Sequence, residues 1–129
     1  EQYHLTNQIK FIDHCKDMAL AYKVSDIIVS ASIEPEAFGR VAVEAQSMEK
    51  LIIASNIGGS NETIIDQKTG FLFKSGDAES LSKKIIHGLT MDETSINLMG
   101  KEGRNNIIKK FNVEKMCFST YSEYKRLLN

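Results

Sequence analysis

Tryptophan is absent from this chain of 129 residues, proline occurs once, cysteine twice, and aromatic residues make up 8%. Each scarcity excludes something. Cys15 and Cys117 stand alone, with no CxxC pair and no histidine at ligand spacing, so neither a disulfide framework nor a zinc site is expected and both read as core thiols. Sixteen basic residues against seventeen acidic ones leave a net charge of −1, with no Lys/Arg run longer than two. A phosphate-tracking nucleic-acid surface needs a basic stripe and has none here, and so few aromatics give little for single-stranded bases to stack on. No run approaches the roughly 20 apolar residues that span a bilayer, and no signal peptide opens the chain, so a soluble intracellular domain is expected. A start at Glu1 without methionine reads as a piece cut from a longer protein.

What is present is 42% hydrophobic residues, enough for one core. Four short apolar runs read as buried strands: residues 9–12, 26–31, 51–55 and 70–73. Helical patterns fill the gaps at 16–23, 39–49 and 60–66, and a further helix follows the last strand with Asp77 as N-cap and Gly88 near its end. Strand-helix alternation at this spacing predicts an α/β fold with a Rossmann-like parallel sheet of about four strands and helices on both faces. Beyond Gly88 two helices are expected, 92–110 and 113–128. Their stripes, Ile96, Met99, Gly103, Ile107 and Phe111, then Val113, Cys117, Tyr121, Tyr124 and Leu128, read as packing surfaces.

Ligands of an open parallel sheet collect beyond the carboxyl ends of its strands. The segments there are 13–15, 32–39 and 56–61, the last two polar and glycine-bearing. Pro35 breaks the chain before the second helix and Gly39 opens its first turn, so backbone N–H groups of Ala37 to Val41 should face the crevice as an anion seat. Glu34 or Glu36 capping that helix is the competing reading. Glu44 needs more explanation. Counting about 100° per residue from Val41, Ala45 falls near 40°, Met48 near 340° and Glu44 near 300°, at the border of the apolar stripe. A carboxylate there requires a partner, either Arg40 at i−4 in a half-exposed salt bridge or a ligand hydroxyl. Glu36, eight residues earlier, is expected two turns up the same flank, so the two acids could address different parts of one elongated ligand.

The run EAFGRVAVEA followed by LIIASNIGGSNETI resembles the donor-binding half of the retaining glycosyltransferases of family 4, which have the GT-B architecture. The matching positions are Glu36, Phe38, Gly39, Glu44, Ala45, Ala54, Ser55, Gly58, Gly59 and Glu62, and the likeness extends over about residues 9–88. It implies that residues 1–129 are part of the C-terminal nucleotide-sugar-binding domain, with the acceptor domain and the basic residues that neutralise the diphosphate lying upstream. Glu44 would hydrogen-bond the ribose hydroxyls of a nucleotide diphosphate sugar. Glu36 would lie beside the transferred sugar as the catalytic residue, orienting the donor instead of acting as nucleophile.

Ala37, Phe38, Gly39, Arg40 and Val41 would meet the sugar and diphosphate. Gly58 and Gly59 would face the ligand, unless they form only a turn. Transfer with retention is implied, to a glycan or lipid-linked acceptor, with no cofactor and no metal, since no Asp-x-Asp motif appears. The piece alone is expected to be inactive. Its location would be cytoplasmic, or peripheral at the inner membrane face in the full-length protein, in envelope polysaccharide synthesis. Family topology also places two upstream strands beside 26–31, so an open sheet edge is expected, through which the piece could self-associate or into which strand 9–12 could move. Departures from the pattern are Gln46 and Ser47 for the family's Met-Ala, and Glu49 and Leu51 for its Gly and Pro. A non-catalytic flavodoxin-like regulatory or nucleotide-binding module is the alternative that the same alternation allows.

Overall fold

The computed structural model describes residues 5–128. Three strands, β1 (Ile27–Ser30), β2 (Leu51–Ser55) and β3 (Phe71–Phe73), form one parallel sheet in the order β1-β2-β3. Ile27 pairs with Leu51 and Ser30 with Ala54, while Ile53 pairs with Phe71 and Ser55 with Phe73. β2 is flanked on both edges and covered on both faces, so all five of its residues are buried. That explains why LIIAS is a continuous apolar run without alternation.

The expected strand at 9–12 does not form. Those residues carry no strand pairing, and Ile9, Phe11 and Ile12 are exposed. A strand needs a neighbour to receive its N–H and C=O groups. No strand lies beside β1 on its outer side among the described residues, so the expected open edge is there and segment 9–12 does not fill it.

Among the described residues there are six helices: α1 (Met18–Val24), α2 (Arg40–Ser47), α3 (Ser60–Thr63), α4 (Ala78–Thr90), α5 (Glu93–Lys110) and α6 (Val113–Leu128). One core layer joins Tyr22 of α1 and Ala42 and Ala45 of α2 to Ile52 and Ala54. On the opposite face Leu51, Ile53, Phe71 and Phe73 pack with Met99 of α5 and with Leu81 and Ile85 of α4. Asp17, Asp77 and Asp92 each accept a hydrogen bond at 2.9 Å from the backbone N–H three residues on, capping α1, α4 and α5, as Asp77 was expected to do.

Two expectations about side chains are corrected. No residue of α6 is buried, so the stripe from Val113 to Leu128 is an exposed face and not a packing surface among the described residues. Cys15 is half-buried and Cys117 exposed, so neither is a core thiol. The stripe of α5 does pack: Met99, Gly103 and Ile107 are buried.

The return from α2 to β2 carries the departures noted above. Glu49 sits at φ +57°, a left-handed conformation in which a side chain costs about 1–2 kcal/mol and glycine costs nothing. Its backbone is held from two sides. Arg104 of α5 donates to the Ser47 carbonyl and lies 3.7 Å from the Glu49 carboxylate, and Gly100 lets α5 approach so closely that a Cβ there would stand 2.2 Å from the Glu49 carbonyl oxygen. Gly100→Ala is therefore expected to destabilise the protein by about 1–3 kcal/mol through overpacking, read as a lower urea midpoint at unchanged slope.

Candidate functional site

The loop of residues 32–39, after β1, and the loop of 56–59, after β2, meet beyond the carboxyl ends of their strands. Their contact is backbone on backbone. Gly59 N–H donates to the Glu36 carbonyl at 2.8 Å. A Cβ on Gly58 would stand 2.6 Å from that same oxygen, and one on Gly59 2.4 Å from the Phe38 carbonyl carbon. Both glycines are thus required by packing, and Gly58 also by its φ of +56°. The pair forms more than a turn: it seats the loop that carries Glu36, Ala37 and Phe38.

Gly39 ends this loop at φ +72°, ψ +57° and is the N-cap of α2. Its carbonyl accepts from Ala42 and Val43, but having no side chain it caps nothing, and no other side chain among the described residues caps the helix. The reading in which Glu34 or Glu36 caps α2 is thereby overturned. The first turn, at Arg40 and Val41, is left with the partial positive charge of a helix start.

Glu36 is not two turns up the flank of α2. The helix begins at Arg40, and the left-handed Gly39 puts the preceding residues off the helical path. Glu36 is exposed in the loop, where its carboxylate accepts a 2.5 Å hydrogen bond from the Ser32 hydroxyl. Ser32 in turn accepts from Ser75 through its carbonyl at 3.2 Å. Ala37 is exposed, as is Phe38, whose ring meets that of Phe111 edge-on at 5.7 Å between centroids.

Glu44 has the partner its position demanded, and a second that the sequence did not announce. Arg40 donates to its Oε1 at 3.0 Å, and the Tyr22 hydroxyl donates to its Oε2 at 2.8 Å. The arginine side chain is 83% exposed and the glutamate side chain 35%. An exposed i,i+4 ion pair contributes about 0.3–0.5 kcal/mol, whereas a hydrogen bond to a charged group contributes about 1.5–3 kcal/mol. Tyr22 is accordingly the stronger holder. The carboxylate borders a cavity of about 340 Å³ between the two helices, lined by Met18, Ala19 and Tyr22 of α1, by Arg40, Glu44 and Ser47 of α2, and by Met48 at its end.

The buried face of α2 differs from the expected one. Ala42, Ala45 and Gln46 are buried, while Val41 and Met48 lie half-buried at its border. Gln46 takes a core position because its amide donates to the carbonyls of Ala42 at 3.1 Å and of Thr63 at 3.0 Å. That turns Glu44 farther from the sheet than the stripe predicted, and Tyr22 is what shields it.

Three comparisons bear on this arrangement. Residues 1–109 match the family model described as Glycosyl transferases group 1. A capsular polysaccharide biosynthesis glycosyltransferase, CapM of Staphylococcus aureus, is 29% identical over 120 residues, 93% of this chain and 31% of that protein. A crystal structure of a glycosyltransferase from Rickettsia africae ESF-5 superimposes with a TM-score of 0.92 at 38% identity, over 99% of this chain and 34% of that one. A structure of Anabaena HepE in complex with UDP-glucose does so with 0.87 at 25% identity, over 97% and 34%. The chain spans about a third of the length of these proteins.

Burial, reinforced by the Glu44 bond, pushes the Tyr22 phenol from 10.0 up to about 12. A raised folded pKa means that the protonated phenol stabilises the fold fully below about pH 10 and loses that contribution as pH rises toward 12. The stability difference between wild type and Tyr22→Phe should therefore shrink between pH 10 and 12, measured by urea unfolding of both proteins at each pH.

Proposed function

Since the chain belongs to the glycosyl transferases group 1 family, we propose that it is the donor-binding part of a glycosyltransferase, taking a nucleotide diphosphate sugar and passing the sugar to a glycan or lipid-linked acceptor. The observation that carries the reading is the start of α2. Its first turn has no side-chain cap and opens at a left-handed glycine in a loop seated on Gly58 and Gly59, while Glu44 stands one turn on beside a cavity. A diphosphate meets free N–H groups and a helix dipole there. From that seat the nucleoside extends along α2 toward Glu44 and the sugar toward Glu36.

Cleaving the sugar from the diphosphate develops positive charge at the anomeric carbon and negative charge on the leaving phosphate. The helix start stabilises the second by position alone, without reorganising. Glu36, held by Ser32, orients the donor and stabilises the cationic sugar. Attack from the face the phosphate leaves gives retention, with the phosphate oxygen taking the acceptor proton, and needs no metal. The acceptor is held by a second domain, so this chain alone binds donor without transferring it, and it belongs at the cytoplasmic side of the membrane. The unpaired outer edge of β1 gives it a route to self-association, which would appear as concentration-dependent sedimentation.

Supporting the donor class is the HepE complex with UDP-glucose. No described observation favours the flavodoxin-like regulatory alternative. Calorimetric titration with uridine, guanosine and adenosine diphosphate sugars, repeated in EDTA, tests the reading. One of the three should bind, equally well with the chelator. Glu44→Ala should weaken both the bare nucleotide and the sugar nucleotide about tenfold, about 1.4 kcal/mol. Glu36→Ala should weaken the sugar nucleotide selectively. Loss of neither affinity in Glu44→Ala would remove the assignment.

A further inference from the structure

The tyrosine behind Glu44 belongs to no part of the motif, and its place is specific. Tyr22 is the last buried residue of α1, 4% exposed, and its ring sits in the core layer with Ala42, Ala45, Ile52 and Ala54. Only its hydroxyl reaches the carboxylate, at 2.8 Å. The two oxygens of Glu44 are therefore held unequally: Oε2 by a buried group fixed in the core, Oε1 by an arginine whose side chain is 83% exposed. A flexible, solvated guanidinium can leave its carboxylate at little cost, whereas a core phenol cannot turn away without opening a cavity.

We propose that Tyr22 is the positioning residue for ribose recognition, clamping Glu44 by Oε2 so that Oε1 can exchange the Arg40 guanidinium for a ribose hydroxyl at the rim of the α1/α2 cavity. This deepens the donor-binding reading above and rests on it. The chemistry follows from the inventory of lone pairs. An ionised carboxylate accepts at about four positions and donates at none, so a hydroxyl of the sugar can only donate to it. The clamp must also remain a donor. The phenol, raised to about 12, keeps its proton throughout the neutral range and so goes on donating it to Oε2. With the carboxylate's rotamer fixed, a missing ribose hydroxyl leaves Oε1 short of a partner at a defined place; with it free, the carboxylate swings to water and the penalty fades.

The test is a ratio within one protein, so a general loss of stability cancels. UDP and 2′-deoxy-UDP, 3′-deoxy-UDP, and the corresponding guanosine and adenosine diphosphates are titrated into wild type and Tyr22→Phe. Wild type should prefer the ribonucleotide over the poorer deoxy form by about tenfold, and Tyr22→Phe should bring that preference within about threefold. A purely structural tyrosine would weaken all forms together and leave the ratio unchanged, which would overturn the proposal.

A second measurement needs no variant. In wild type labelled at the tyrosine Cζ, the Tyr22 signal should stay in place at saturation with the ribonucleotide while the Arg40 Nε signal moves. Movement of Tyr22 to the position of an exposed phenol would mean that the ligand displaces it, and would sink the clamp. If wild type binds none of the diphosphates, the donor-binding reading itself has failed and takes the proposal with it.

Discussion

The closest approach in the candidate site is that of two glycines to the backbone of residues 36–38, and the geometry there follows from it. With any side chain at Gly58 or Gly59 the loop after β1 would have to lift off the loop after β2, since the added carbon would overlap carbonyl groups instead of flexible side-chain ends. Lifting it would move Gly39, and with it the direction from which α2 enters. The uncapped first turn of that helix is thus positioned by contacts to another loop, not by a cap of its own. This separates it from α1, α4 and α5, whose aspartates satisfy their first turns locally.

The other end of α2 is held as tightly, by different means. Gln46 ties its buried face to the Thr63 carbonyl, which Asn106 of α5 also reaches, at 3.1 Å. After the helix, Glu49 is held in a left-handed conformation by Arg104 and by the bare backbone at Gly100. The family's glycine at this position would adopt that conformation freely. This chain keeps the turn with a glutamate and offsets part of the strain with an ion pair across to α5. The departures at Gln46 and Glu49 thus alter how the end of α2 is anchored and lie away from its uncapped first turn.

Much of this was legible in the residues, and the failures share a cause. β1, β2 and β3 announce themselves because a strand buried in a parallel sheet is a continuous apolar run. The Asp77 cap of α4 is a local signal, and Gly39, Gly58 and Gly59 stand out because few residues tolerate such turns. Segment 9–12 has the same apolar character as β1 and stays unpaired, because pairing depends on a neighbour that no local pattern reports. The stripe of α6 is equally regular and equally uncovered. Periodicity tells which face of an element is apolar; it does not tell what, if anything, lies against it.

Tyr22 and Gln46 escaped for a related reason. Both are polar groups in a core layer, and their partners lie 22 and 17 residues away in the chain. A rule that ranks faces by apolarity puts Val41 and Met48 inward and leaves Gln46 outside, when its amide N–H groups find two carbonyl acceptors in the core even though its own Oε1 is buried without a partner. Turning the buried face toward Gln46 takes Glu44 away from the sheet, and the carboxylate would then be an ordinary surface group were α1 not packed over it. Its half-buried state is therefore a property of two helices together, and the burial that made Glu44 conspicuous in the sequence is supplied by a tyrosine outside the motif that contains it.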